Sequence, residues 1–223
     1  MTQRIRVATL LAGAAVAALC GSAASAGAAE TIGQTGTLNS SCSDDEAYVQ
    51  KTLASGPGYS PSAPGVITSW SAAGDPDPSQ TIVLMVLRQD SATQFTAVGS
   101  DVVRTLTPNA LNTFTGLHLP IEPNQRIAVY LPAGSRASCV FETGNPGDTE
   151  GYSFPYSVGQ PPIGVPFDYS GTDPEVRINA QAVVEPTGQQ AAALKKCKKK
   201  AKKKHWTKKK LKKCKKKARK LPV

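Results

Sequence analysis

The residues best suited to chemistry in this 223-residue chain lie at its C-terminal end. Leu194-Lys-Lys-Cys197-Lys-Lys-Lys-Ala201 returns seventeen residues later as Leu211-Lys-Lys-Cys214-Lys-Lys-Lys-Ala218. Between and around these copies stand Lys195, Lys196, Lys198, Lys199, Lys200, Lys202, Lys203, Lys204, Lys208, Lys209, Lys210, Lys212, Lys213, Lys215, Lys216, Lys217, Arg219 and Lys220, with no acid among them. Lysine is a compact point charge that lacks the planar fork of arginine. Such an array therefore holds phosphates and carboxylates through charge, reads no sequence and weakens with salt. Only Trp206 offers a ring on which a base could stack.

Elsewhere the usual chemistry is sparse. A hydrolytic triad needs a nucleophile beside a base, yet residues 27–193 hold a single histidine, His118, and no G-x-S-x-G elbow. His118 alternates with Leu117 and Leu119, as an outward-facing strand residue does. Asp75-Pro-Asp77 and Gly147-Asp148-Thr-Glu150 carry oxygen ligands suited to calcium, but both lack the twelve-residue loop pattern and read as solvated turns. No C-x2-C or H-x3-H spacing points to zinc. Neither a catalytic residue nor a metal ligand is assigned, and no cofactor or small-molecule substrate is expected. Tyr152, Phe154, Tyr156, Phe167 and Tyr169 fall in a Pro/Gly-rich stretch that reads as one long loop, where they either contact a sugar or pack the loop down.

The elements that position these residues follow from periodicity. Apolar runs of strand length, Val66 to Trp70, Thr81 to Leu87, Gln94 to Val98, Val102 to Leu106, Arg126 to Leu131, Ser138 to Phe141 and Val176 to Val184, recur between Gly, Pro, Asn and Asp clusters. They predict an all-β, jelly-roll-like antiparallel β-sandwich over 30–185. Ile82 to Leu87 is apolar on both alternating faces, which predicts a central strand covered by the other sheet and by a loop. Residues 186–193 read as a linker. In the tail over 194–223, Leu, Cys and Ala at i, i+3 and i+7 of each copy predict two short helices, with Thr207 capping the second.

The N-terminus has Arg4 and Arg6, an uncharged run from Val7 and an Ala24-Ser25-Ala26 motif, which predicts a signal helix cleaved at 26. Its removal leaves Cys42, Cys139, Cys197 and Cys214, an even set fit for an oxidising compartment. Of three pairings, Cys42 with Cys139 ties the opening segment to the sandwich. Cys197 and Cys214 are equidistant from the His205-Trp206 junction, so a turn there brings the sulfurs together and locks a basic helical hairpin. In the chain-entropy model the long loop is worth about 4–5 kcal/mol and the short one about 3 kcal/mol. Charge is segregated: residues 194–223 carry seventeen lysines and one arginine, net +18, while residues 27–193 carry six basic and sixteen acidic residues, net −10.

The order of segments from Cys42 through Gly65-Val-Ile-Thr-Ser-Trp70, Thr107-Pro-Asn-Ala-Leu-Asn-Thr-Phe114 and Gly147-Asp-Thr149 to the Cys/Lys tail ending Arg219-Lys-Leu-Pro-Val223 resembles small secreted β-sandwich proteins of soil actinobacteria. The resemblance spans most of the mature chain and implies the fold and export, with no activity and no functional residue attached. The expected function is that of a non-enzymatic, secreted or cell-wall-associated protein held by its tail at anionic cell-envelope polymers or anionic lipid head groups. Nucleic acid is a non-specific alternative partner for the tail. A carbohydrate-binding or weakly hydrolytic surface module is the alternative function.

Overall fold

The computed structural model describes residues 28–40, 42–153 and 159–219; the expected signal helix, Phe154, Tyr156 and Lys220 lie outside them. One antiparallel sheet has the strand order β1 (Glu30–Gln34), β14 (Ala180–Pro186), β3 (Gly65–Ala73) and β7 (Leu111–Ile121). The larger sheet runs β11 (Pro166–Asp168), β5 (Gln94–Ser100), β4 (Thr81–Gln89), β8 (Gln125–Leu131), β2 (Glu46–Thr52), β10 (Thr149–Tyr152) and β12 (Gly171–Pro174), with β6 (Arg104–Thr105) beside β4. A small pair joins β9 (Val140–Glu142) to β13 (Val176–Ile178). Two helices follow, α1 (Gln189–Lys203) and α2 (Lys208–Ala218). The all-β, sandwich-like architecture expected from the runs is present.

Strand β4 shows why the molecule has two apolar layers. Ile82, Leu84 and Val86 pack with Ile127, Val129 and Leu131 of β8 against Ile32, Ile67, Trp70, Ala182 and Val184 of the smaller sheet. On its other face Val83, Met85 and Leu87 meet Val49, Phe95, Ala128, Tyr130 and Phe167. A strand stretch buried on both faces has to be apolar at every position, and Ile82 to Leu87 is. The second face is enclosed because the large sheet curls. Its end strands β11 and β12 are successive pieces of one segment, in which Tyr169 N donates to Thr93 O and Ser170 N to Tyr152 O. Residues 166–174 thus bond to β5 at one end and β10 at the other, and close the sheet on itself.

Several expectations need correction. The run Val176 to Val184 is two strands, broken at the fully buried Asn179. The side chain of Asn179 accepts from Ala73 N at 3.1 Å and donates to Ala73 O and Ser138 O at 2.8 and 3.3 Å, so the chain changes sheets there with its polar groups satisfied. Of Val102 to Leu106 only Arg104–Thr105 is strand, and Val102 and Val103 are 63% and 54% exposed. Asp101 takes both the Arg104 fork, at 2.8 and 3.0 Å, and the Trp70 indole N–H, which ties this irregular segment to β3. The Pro/Gly-rich stretch is not one long loop, since it contributes β10, β11 and β12. Cys139 lies just before β9, not inside a strand, and bonds Cys42 with Cα atoms 5.8 Å apart. Gly33 in β1 has φ of +73°, and a Cβ there would lie 2.2 Å from Ala180 O, so only glycine fits.

Candidate functional site: the cationic hairpin

The linker expected over 186–193 contracts to Thr187 and Gly188. Strand β14 ends at Pro186, Gly188 turns the chain with φ of 81°, and α1 already starts at Gln189. Gln189-Gln190-Ala191-Ala192-Ala193 is made of good helix formers, which extends the helix upstream of the repeat. Helix α1 closes with Lys204 N donating to Lys200 O. His205 adopts φ of 45°, and Trp206 N reaches back to Ala201 O at 3.1 Å. Thr207 Oγ1 then accepts from Lys210 N at 3.4 Å and caps α2.

The two helices fold back on one another, and Cys197 bonds Cys214 with Cα atoms 6.0 Å apart. The narrow stripe visible in the sequence forms the seam. Cys197 and Ala218 are buried, and Leu194, Ala201, Leu211 and Cys214 are half-buried. The cations face outward: every described lysine of the tail is exposed except Lys215, which is half-buried, and Arg219 is exposed as well. Lys200, Lys202 and Lys203 in the last turn of α1, and Lys215 to Lys217 in that of α2, suit the negative ends of the helix dipoles. Lys208, Lys209 and Lys210 stand instead at the positive end of α2, beside Lys202 to Lys204 across the turn. Lysines of both helices therefore flank the turn at Trp206, over whose ring Lys210 Nζ lies at 5.3 Å. Shallow hollows of about 620 and 390 Å3 along the hairpin are ringed by lysines, the smaller one floored by the disulfide, Trp206 and Ala218.

The sandwich uses its candidate ligands internally. A cleft of about 1010 Å3 beside Cys42 contains Asp44, Asp75 and Asp77. Asp75 accepts from Ser138 N, Ser138 Oγ and Asp77 N at 3.0, 2.7 and 2.8 Å, and Asp77 accepts from Ser79 N at 2.7 Å. Asp148, fully buried, takes Arg177 Nε and Nη2 at 2.8 and 2.9 Å, Ala54 N at 2.8 Å and Thr143 Oγ1 at 2.8 Å. Burial alone would raise the Asp148 carboxyl. The Arg177 fork and the two further donors outweigh it and hold the group below the usual carboxylate range. Among the described residues, no group of three or more His, Cys, Asp or Glu converges as a metal site. His118 sits exposed on β7. Phe167 is buried in the closed sheet, Tyr169 packs on Phe95 with ring centroids 4.6 Å apart, and Tyr152 packs toward Tyr48.

Sequence reasoning placed Asp148 and Glu150 in a solvated turn, but Asp148 is fully buried and Glu150 lies buried on β10, where partners far away in the chain cover it. Glu150 is the more exceptional of the two. It is 1% exposed, lies between Gln50 of β2 and Asp173 of β12, and its Oε2 has no hydrogen-bond partner. Burial, with the carboxyls of Asp173 and Glu46 nearby, raises its pKa to about 8. Arg126 on β8, to which the sequence reading gave no functional role, also has its Nε buried and unpartnered, as has the Tyr169 hydroxyl.

Comparison of the chain with the models of known protein families, with functionally characterised proteins and with solved structures found no match. Two disulfides mark a chain that matures in an oxidising environment, and no described helix is long and apolar enough to cross a membrane.

Proposed function

We propose that this is a non-enzymatic, exported protein whose β-sandwich is held at the cell envelope by its tail, through phosphate- or carboxylate-bearing polymers. The observation that supports the reading is the hairpin itself: a disulfide fixes two lysine helices so that their cations point outward with no acid in the segment to neutralise them. A disordered lysine run would need neither the matched cysteines nor the Thr207 cap. A prefolded array loses less conformational freedom on binding a flexible polymer. The basic leader with its A-x-A motif and the two disulfides support export. The inward packing of Phe167 and Tyr169 gives no support to a sugar platform built on them.

The test is sedimentation with isolated cell walls across a salt series, comparing the mature protein with a chain ending at Ala193. Only the full chain should pellet, and it should be released by about 1 M salt, where the Debye length falls to about 3 Å. Pelleting of the shorter chain, or retention at high salt, would overturn the reading.

A further inference from the structure

The sandwich contains six basic side chains among sixteen acids, and all sixteen lie among the described residues. Four of the six face a carboxylate: Arg88 with Asp90, Arg104 with Asp101, Arg136 with Asp77 and Arg177 with Asp148. The two that do not are Lys51 and Arg126, and they are neighbours. Arg126 Nη1 donates to Gln50 O at 2.7 Å, and both residues line a hollow of about 190 Å3 together with Tyr59 and Ser60. Arg126 and Ser60 also line an adjoining hollow of about 410 Å3 bordered by Gln89, Asp90 and Asn124. Two cations left without carboxylates in an acidic domain, side by side in one groove, call for a reason.

The arginines of this chain supply one. Arg104 and Arg177 each hold their aspartate with the same edge of the guanidinium, Nε to one oxygen and Nη2 to the other. In Arg126 the same edge is half filled by a neutral group. Nη2 donates to Gln89 Oε1 at 2.7 Å, while Nε is buried with no partner. Gln89 is exposed and its other contact is to Ser91 O, so its amide can be displaced. Burial lowers the Arg126 pKa, as expected for a guanidinium withdrawn from water without a counter-charge. Its Cζ lies 5.6 Å from the centre of the Phe95 ring, and Lys51 Nζ lies 5.5 Å from that of Tyr169. These stacks keep both cations on a rigid floor.

We infer that this groove is a carboxylate-binding site, in which the Nε–Nη2 edge of Arg126 takes a ligand carboxylate in place of Gln89 and Lys51 supplies the second positive charge. Asp90 in the adjoining hollow sets the charge of the ligand. Its carboxylate is already engaged by Arg88 Nε at 2.7 Å and by Thr96 Oγ1, and it remains an anion that repels a second negative group. The site therefore prefers a single planar carboxylate on a small polar ligand to a phosphate dianion. It does not depend on the tail.

The guanidinium Nε–H resonances provide a readout that the lysines of the tail cannot mimic. In ¹H–¹⁵N spectra of the full mature protein, with the signal assigned by its loss in Arg126→Lys, the Arg126 Nε–H should shift saturably with sodium acetate. It should shift little with sodium chloride at equal ionic strength and less with inorganic phosphate. Followed through the backbone amides of Lys51 and Ser60, acetate should bind about tenfold or more weakly to Arg126→Lys, which keeps the charge and loses the fork. It should bind several-fold more tightly to Gln89→Ala, which removes the competing acceptor. A shift that chloride reproduces, no saturation, phosphate binding tighter than acetate, or undiminished binding by Arg126→Lys would each overturn the site. Should Arg126→Lys fail to fold, Gln89→Ala decides, and unchanged affinity there overturns it as well.

Discussion

Replacing Glu150 with Gln should change the pH dependence of stability in a way that no surface carboxyl could. The side chain is 1% exposed, and its carboxyl titrates near 8 in the folded protein against an ordinary value of 4.5. A folded-state pKa raised in this way makes a contribution that is full below about 4.5 and is lost as pH rises through about 8, because the unfolded chain ionises first and the folded one resists. The slope is about 1.4 kcal/mol per pH unit within that window, several kcal/mol in all, as an order of magnitude. Glu150→Gln is neutral throughout and loses that slope. Its amide N–H2 finds no partner where the Oε2 had none, at a cost of about 1–3 kcal/mol. The variant should therefore be the weaker protein at pH 5 and the stronger one at pH 8, with the two curves crossing in between. Asp148 and Asp101, both held below the usual range, contribute stability that is lost only as pH falls through their depressed values, so they leave this window untouched. Urea unfolding at pH 5, 6, 7 and 8 and constant ionic strength measures the effect. Parallel wild-type and variant profiles from pH 5 to 8 would refute the claim that Glu150 is folded in its neutral form.

Two further substitutions probe the frame and the tail. Asp148→Asn strands the Arg177 guanidinium, itself nearly buried, without its counter-charge and should cost about 3–5 kcal/mol in urea unfolding at pH 7; a loss under 1 kcal/mol would show that the pair is dispensable. Cys197→Ser with Cys214→Ser removes about 3 kcal/mol of loop closure and leaves like-charge i, i+4 lysine pairs unopposed, so helical circular dichroism from the tail should fall at low salt and recover when a polyanion is added; undiminished helicity would show that the bond does not hold the hairpin.

What could be read from the sequence depended on whether a residue's burial is decided locally. Ile82 to Leu87 needs no context, since six apolar residues in a row have nowhere to go except between two layers. The hairpin was legible for a different reason: two copies with cysteines equidistant from one junction define a fold-back without any tertiary information. Strand β2, Glu46-Ala-Tyr-Val-Gln-Lys-Thr52, mixes charges with apolar residues and escaped notice, although Tyr48 and Val49 are both core. The short strands β10, β11 and β12 have no strand character of their own. They are extended because β2 and β5 offer edges to β10 and β11, and β10 in turn offers one to β12. Glu150 and Arg126 look like any surface charge in sequence, and only the closure of the large sheet and the strands around them withdraw their polar atoms from water.

That closure has a consequence for how the fold meets other chains. A strand edge is a row of free N–H and C=O groups onto which another chain can zip, and long flat edges seed aggregates. Because residues 166–174 cap β5 and β10 at once, the large sheet presents no free run of that kind there. The smaller sheet retains an edge at β7, but that strand carries Pro120, which has no N–H to offer, and Gly116 at φ of +82°, where its pairing with β3 slips register. Under the proposed function the hairpin concentrates copies of the protein on one polymer, and the closed large sheet and the interrupted β7 edge are then margins that limit strand-to-strand joining between them.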